Sequence, residues 1–306
     1  MRLATTTEDF ARFCKTNTER VSLIAKAGFK FIDLSLASET ANAEIYLSDN
    51  WHDNVIALKN HAESLGVTFV QCHAPGMNPF DPGIDYNHTC DLVNRSIEVC
   101  GMLGIKNTVL HNVYRADPNY DKDEFYERNL LFYSHFYPMA EKYEVNILCE
   151  NTTKKNMPNW YFPTTGKELL EFIRATEHPL VHACWDTGHA NCDGSQYEHI
   201  VDLGEQLYAL HINDNTGHGD EHILPYFGTL NLDDVINGLS DIGYKGYFTF
   251  ECCSALRPSR YWQGHRHEFS KDTRLSEPAL FMQERVERLM YEIGEYALRS
   301  YDYFEE

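Results

Sequence analysis

Eight short apolar runs punctuate this chain, separated by longer stretches in which apolar and polar residues recur with helical spacing. Six of the runs end alike, in a residue able to bind a metal. Val67–Cys72 leads into His73, Thr108–Leu110 into His111, Val145–Cys149 into Glu150, Val181–Trp185 into Asp186, Leu207–Leu210 into His211 and Tyr247–Phe250 into Glu251. Phe29–Leu36 is a further strand-like run, and Leu3–Thr6 is a weaker first one. Apolar runs of this length, bounded by polar residues, read as buried strands. Amphipathic segments fill the gaps: Glu19–Ala27, Asn54–Leu65, Cys90–Leu103, Asp123–Tyr143, Thr165–Thr176, Tyr197–Glu205 and Asn231–Ile242, with a last one from Glu277 to about Tyr303. Gly28, Gly66, Gly104 and Gly243 close four of them, as glycine commonly closes helices. Pro138 is a candidate interruption of the segment that ends at Tyr143.

The six ligand-type residues lie 25 to 40 residues apart, and a strand with its crossover and the next strand needs about 30 residues. Each such residue therefore sits at the carboxyl end of one strand in a series of βα units. No break in composition interrupts that rhythm. The expected architecture is one domain over residues 1–306, an α/β fold consisting of a single (β/α)8 TIM barrel with a C-terminal helical extension. The carboxyl ends of barrel strands converge on one face, where active sites of this architecture lie. Charged groups are rarely buried without a partner, so six of them at six consecutive strand ends point to chemistry rather than packing.

Glu150, Asp186, His211 and Glu251 form the strongest set. Three carboxylates crowded at one mouth raise each other's pKa values, and a divalent cation removes that penalty. The six apolar runs contain no Lys or Arg that would neutralise them instead. Mixed oxygen and imidazole ligation suits Mn, Zn, Co or Fe(II), and a site dominated by oxygen would take Mg. His189 follows Asp186 in Asp-Thr-Gly-His and is either a substrate-binding imidazole or a ligand of another metal. His73 and His111 either complete a second metal site with Glu150 or bind substrate hydroxyls. Asp220 and His222 alternate on a loop and make a weaker additional pair. Trp51, Trp160, Trp185 and Trp262 are candidates to stack on a sugar face, Trp185 being better placed for packing. After the seventh and eighth strands, where barrels often bind phosphate, Arg257 and Arg260 are the obvious cations. No glycine-rich phosphate loop is present.

The net charge of −20, from 26 basic and 46 acidic residues, opposes nucleic acid and anionic membranes. Nine cysteines without a CxxC pair read as small core residues of a reducing compartment. Neither a signal peptide nor a membrane span is read, which gives a cytoplasmic location as the expectation.

Cys149-Glu-Asn151, Trp185-Asp-Thr-Gly-His189, His211-Ile-Asn-Asp-Asn215 and Asp220-Glu-His222 with Pro225 and Gly228 resemble the xylose isomerase-like barrel superfamily, the sugar phosphate isomerase/epimerase group that also contains endonuclease IV. The resemblance covers His73 to Glu251. It implies that Glu150, Asp186, His211 and Glu251 bind a divalent metal and that Glu150 and Glu251 are catalytic, moving a proton. It implies a substrate or metal role for His189. His73, His111, His189, Asp220 and His222 match the additional ligands with which endonuclease IV holds three zinc ions. Ketose epimerases of the group place an arginine between the positions of His211 and Pro225, and this chain has none there.

The activity expected is that of a metal-dependent sugar isomerase or epimerase acting on a small ketose, polyol or keto-polyol through an enediolate. Its substrate-binding candidates are His73, His111, His189, Trp160 and Arg257. Endonuclease IV-like phosphoester hydrolysis and keto-polyol dehydration are the alternatives. The expected partner is a small sugar, with no nucleic acid and no membrane, and a homo-oligomer is a candidate assembly.

Overall fold

The computed structural model describes residues 1–114, 120–256 and 277–306. Eight strands alternate with helices along the chain: β1 Arg2–Thr6, β2 Phe31–Ser35, β3 Thr68–His73, β4 Asn107–Leu110, β5 Asn146–Glu150, β6 Val181–Asp186, β7 Leu207–His211 and β8 Tyr247–Phe250. The helices are α1 Asn17–Ala27, α2 Ala43–Tyr46, α3 Trp51–Ser64, α4 Tyr86–Leu103, α5 Lys122–Ser134, α6 Tyr137–Tyr143, α7 Gly166–Ala175, α8 Thr187–Asn191, α9 Tyr197–Leu203, α10 Leu232–Asp241 and α11 Leu280–Ser300. All strand pairs are parallel, in the order β7-β6-β5-β4-β3-β2-β1-β8. A parallel bridge between Ile212 and Phe250 joins the two ends and closes the barrel just past β7.

Local chemistry sets these boundaries. Thr16 and Glu19 form a reciprocal capping box at the start of α1, and Thr165 and Glu168 repeat it at α7; each satisfies orphan amides of the first turn. Gly104 ends α4 in the left-handed region, φ 77°, where a side chain would be strained. The segment Asp123–Tyr143 is two helices rather than one. Pro138 lies in the first turn of α6, where its missing N–H leaves no bond unmade. The last helix starts at Leu280, later than Glu277.

Alternation along the strands builds two layers at the upper end of the barrel. Side chains two residues apart share a face, so Val109, Leu148, Cys184 and Ala209 lie one step below His111, Glu150, Asp186 and His211. These four form their own buried apolar cluster inside the barrel, apart from the larger core between strands and helices. On the other side of the interior the same level is polar, with Asp33, Gln71 and Thr249 all buried.

α11 packs back on β1, α1 and the short 3-10 turn Thr7–Phe10, with Met290, Gly294, Ala297 and Leu298 buried. It carries a carboxyl into that contact. Glu287 is fully buried beside Asp9, which accepts a hydrogen bond from Thr5 Oγ1 at 2.9 Å. Asp9 Oδ1 and both Glu287 oxygens have no well-formed hydrogen bond among the described residues, as suits a pair of acids that shares a proton. Burial, which outweighs the hydrogen bond from Thr5, pushes Asp9 up to about 7. Burial and then the neighbouring Asp9 raise Glu287 well above the carboxyl range. Groups raised on folding contribute stability that is complete below their unfolded values and lost as pH rises through their folded ones. Melting temperature should therefore fall from about pH 5 to about pH 8, and Glu287→Gln should melt higher than wild type at the upper end. Thermal scans across that range check this; a Glu287→Gln protein that loses stability with pH as steeply as wild type would contradict it.

Candidate active site at the carboxyl ends of the strands

The barrel brings all six strand-end residues to one mouth. His111 Nε2 lies 2.8 Å from Glu150 Oε2 and 3.1 Å from His73 Nε2. His211 Nδ1 lies 2.5 Å from Glu150 Oε1 and 3.5 Å from Glu251 Oε2. The loops add a third cluster, in which Asp220 lies 3.1 Å from His189 Nε2 and 3.1 Å from His222 Nε2. Ligand atoms in each of the groups His73/His111/Glu150, Glu150/Asp186/His211/Glu251 and His189/Asp220/His222 come within 4.8 Å of one another. Glu150 belongs to the first two groups.

The asparagines between these residues explain how the cluster is held. Asp186 caps α8: its Oδ1 accepts the His189 backbone N–H at 2.6 Å, and its Oδ2 accepts from Asn213 Nδ2 at 2.7 Å. Asn151 spans β5 and β6, donating to the Asp186 carbonyl at 3.0 Å and accepting its N–H at 2.7 Å. Thr187 and Asn213 exchange a matching pair between β6 and β7. Asp214 accepts three backbone N–H groups, from Asn215, Gly228 and Leu230, which ties down the loop carrying Asp220 and His222. His222 itself sits at φ 48°, an uncommon conformation for a residue with a side chain.

Gly188 belongs here because of space, not backbone freedom. A Cβ on it would come 1.8 Å from Asn213 Oδ1.

The histidines are oriented as ligands are. His73 Nδ1 faces the Ala74 carbonyl at 2.7 Å, His189 Nδ1 that of Asn151 at 2.9 Å, and His222 Nδ1 that of Glu251 at 3.1 Å. A carbonyl can only accept, so each Nδ1 carries a hydrogen and each Nε2 faces inward, where it can give a cation its lone pair once any proton on it is displaced. His73 Nε2 faces His111 Nε2, which also meets the Glu150 carboxylate. Among the described residues the ion-pair partners of Glu150, Asp186, Asp220 and Glu251 are all histidines. This donor set fits a divalent cation: buried acids, imidazoles with held outer nitrogens, and no Lys or Arg in the cluster among the described residues.

The electrostatics agree. Burial pushes Glu251 up to about 8 and raises Asp186. Burial works against the charge of Glu150 as well, but His211 and hydrogen bonds from His111 and His211 outweigh it and hold Glu150 well below its ordinary value. Burial disfavours the charge of His222, yet Asp220 and Glu251 bring it up to about 10. His73, buried beside His111, is lowered to about 4. Without a cation the cluster thus balances its charge with protons.

Above the cluster is a cavity of about 180 Å³. Histidines and carboxylates line its floor, Asn112 and Asn156 offer amides, and Met157 and Phe162 give it an apolar wall. Trp160 does not join that wall; its half-buried ring stacks on Tyr114 at 5.1 Å. Trp185 is fully buried and donates to Gln196. Trp51 lies under Arg95 on the outer helices. Arg257, Arg260 and Trp262 lie outside the described residues. Sequence reasoning missed Asp33, Gln71, Asn151 and Asn213. An acid inside the Phe31–Ser35 run and the Asn-Asp-Asn triplet after His211 were the available signals.

A parallel eight-stranded barrel with buried acids and imidazoles clustered at its mouth defines the class of protein. The profile of the xylose isomerase-like TIM barrel family matches residues 21–272, and the chain belongs to that family. Solved structures share the fold over nearly the full length. A D-psicose 3-epimerase with D-fructose has a TM-score of 0.72 at 14% identity, covering 97% of this chain and 99% of its own. A D-tagatose 3-epimerase-like protein has 0.69 at 20%, covering 98% and 99%. The Escherichia coli 3-keto-D-glucoside 4-epimerase has 0.67 at 16%, covering 96% and 99%. An uncharacterized protein of Methanocaldococcus jannaschii is 29% identical over 170 residues, 53% of this chain and 56% of the relative. The chain spans little more than half the length of the curated relatives it matches.

Gly188→Ala should destabilise the protein by about 1–3 kcal/mol, since the methyl group pushes Asn213 off Asp186. Urea unfolding measures this. Full stability in the variant would show that Asn213 is not held against Asp186.

Proposed function

We propose that this protein is a metal-dependent sugar epimerase or isomerase acting on a small ketose, polyol or keto-polyol. The observation that carries the reading is the approach of Glu150 from β5 and Glu251 from β8 to the same His211 nitrogen, with Asp186 completing the set. A divalent cation held by Glu150, Asp186, His211 and Glu251 would supply Lewis acidity toward a carbonyl and its neighbouring hydroxyl, acidifying the C–H bond between them.

The protein's own groups then handle the proton. Glu150 is kept ionised by its imidazole neighbours and takes the proton from carbon. Glu251, reaching the cluster from the other side of the mouth, returns a proton to the opposite face of the same carbon. The two exchange protonation states in one turnover and are reset through solvent. His73, His111 and His189 offer imidazole nitrogens to substrate oxygens around the cavity, in place of the arginine missing between His211 and Pro225. Dehydration of a keto-polyol would begin with the same proton removal. The family, the epimerase neighbours and the small amide-rich cavity support this reading.

The test is solvent deuterium uptake into sugars turned over in D₂O, with metal content measured on the same samples. Glu150→Gln and Glu251→Gln should each slow exchange by ~10²–10⁴ while retaining most of the metal. Full exchange in the metal-loaded double variant would reduce both residues to ligands.

One observation favours a second reading, a phosphoester hydrolase of the endonuclease IV kind: His73, His111, His189, Asp220 and His222 form two further ligand groups beside the central one. The charge of −20 weighs against duplex binding, which depends on neutralising phosphates. Elemental analysis of protein purified without chelators should give about one tightly held ion per chain for the epimerase. About three ions, with cleavage of abasic-site DNA lost in His222→Ala, would establish the hydrolase instead.

A further inference from the structure

His211 Nδ1 faces Glu150 and Glu251, and its Nε2 points down into the polar half of the barrel floor. There Nε2 lies 2.9 Å from Gln71 Nε2 and 3.3 Å from Asp33 Oδ2. Gln71 Nε2 donates to Asp33 Oδ2 at 3.2 Å, and Thr249 Oγ1 donates to Gln71 Oε1 at 3.5 Å. His211, Asp33, Gln71 and Thr249 are all at most 3% exposed. Asp33 is an acid in the middle of β2 whose only ion-pair partner among the described residues is His211. Its Oδ1 makes no hydrogen bond. A buried carboxylate so thinly supported is a net liability to the fold, which calls for another reason for its presence.

We propose that Asp33 and Gln71 are positioning residues that hold the ring hydrogen of His211 on Nε2 whenever Nδ1 binds a cation. This rests on the metal reading above. An imidazole that gives its Nδ1 lone pair to a cation keeps its one hydrogen on Nε2, and a partner for that hydrogen fixes the ring and makes it a better ligand. Asp33 Oδ2 is that acceptor. Gln71 fits both states of the ring. In the tautomer with its hydrogen on Nδ1 alone, the Gln71 amide can donate to Nε2. When the hydrogen moves to Nε2, the carboxamide turns over, so that Oε1 faces the ring and its NH₂ group meets Thr249 Oγ1, a hydroxyl able to accept. Asp33 therefore acts in the cation-bound state and adds little to the metal-free fold.

The experiment titrates metal-stripped wild type, Asp33→Leu, Asp33→Asn and Gln71→Met with Mn²⁺ against a chromophoric chelator, and measures Tm with and without the metal. Asp33→Leu should bind Mn²⁺ ~10–100-fold more weakly. Asp33→Asn keeps an acceptor oxygen and should recover most of that affinity. Gln71→Met should also bind more weakly than wild type. Metal-free Tm should be unchanged or higher in the Asp33 variants. Wild-type affinity in Asp33→Leu overturns the proposal, as does a metal-free Tm that drops in step with affinity. If Asp33→Leu does not fold, wild-type affinity in both remaining variants overturns it. A wild type that binds no Mn²⁺ refutes the metal reading itself, a result distinct from all of these.

Discussion

Three acids must share a few ångströms of dry space at the mouth of this barrel, with no Lys or Arg among the described residues to neutralise them. That constraint governs the surrounding structure. Glu150, Asp186 and Glu251 are each less than a tenth exposed, and an isolated buried carboxylate is strongly disfavoured. The protein answers with imidazoles, whose protons balance the charge and would be displaced by the proposed cation. The clustering of acids with imidazoles and the upward push on Glu251 are thus two views of one electrostatic problem.

The scaffold turns that crowding into a defined geometry. Parallel register places Asp186 beside His211 and Glu150 beside Cys184. Asn151, Thr187 and Asn213 cross-link the strand ends above that register, and Asp214 ties the overlying loop to it. Backbone carbonyls hold three of the histidines, so their inward nitrogens are fixed by the chain itself. Sites on rigid elements with held ligands keep the spacing that binding and proton transfer require.

Much of this was legible in the sequence. The recurrence of an apolar run followed by a ligand-type residue gave the strands, their order and the convergence of His73, His111, Glu150, Asp186, His211 and Glu251. Pro138 marked the break between α5 and α6. Other features were hidden because they depend on contacts across the barrel. Asp33 and His211 are remote in sequence, and nothing local to β2 shows that its acid faces an imidazole on β7. Gly188 makes room for Asn213, a contact from another strand that its place in Asp-Thr-Gly-His does not reveal. The placement of Trp160 on Tyr114 depends on how two loops meet, which periodicity does not encode. The residues two positions before each ligand could have been read, since strand alternation puts them in one layer beneath the site.

The proposed chemistry needs a cation among the four central residues, and anomalous diffraction from a Mn²⁺-soaked crystal would locate it. The predicted result is a strong peak bonded to Glu150, Asp186, Glu251 and His211 Nδ1 at about 2.0–2.2 Å, with Asp33 next to His211 Nε2. A map with no peak there, and with the acids still clustered on their histidine partners, would contradict it and leave an ion-pair network as the reason for the site.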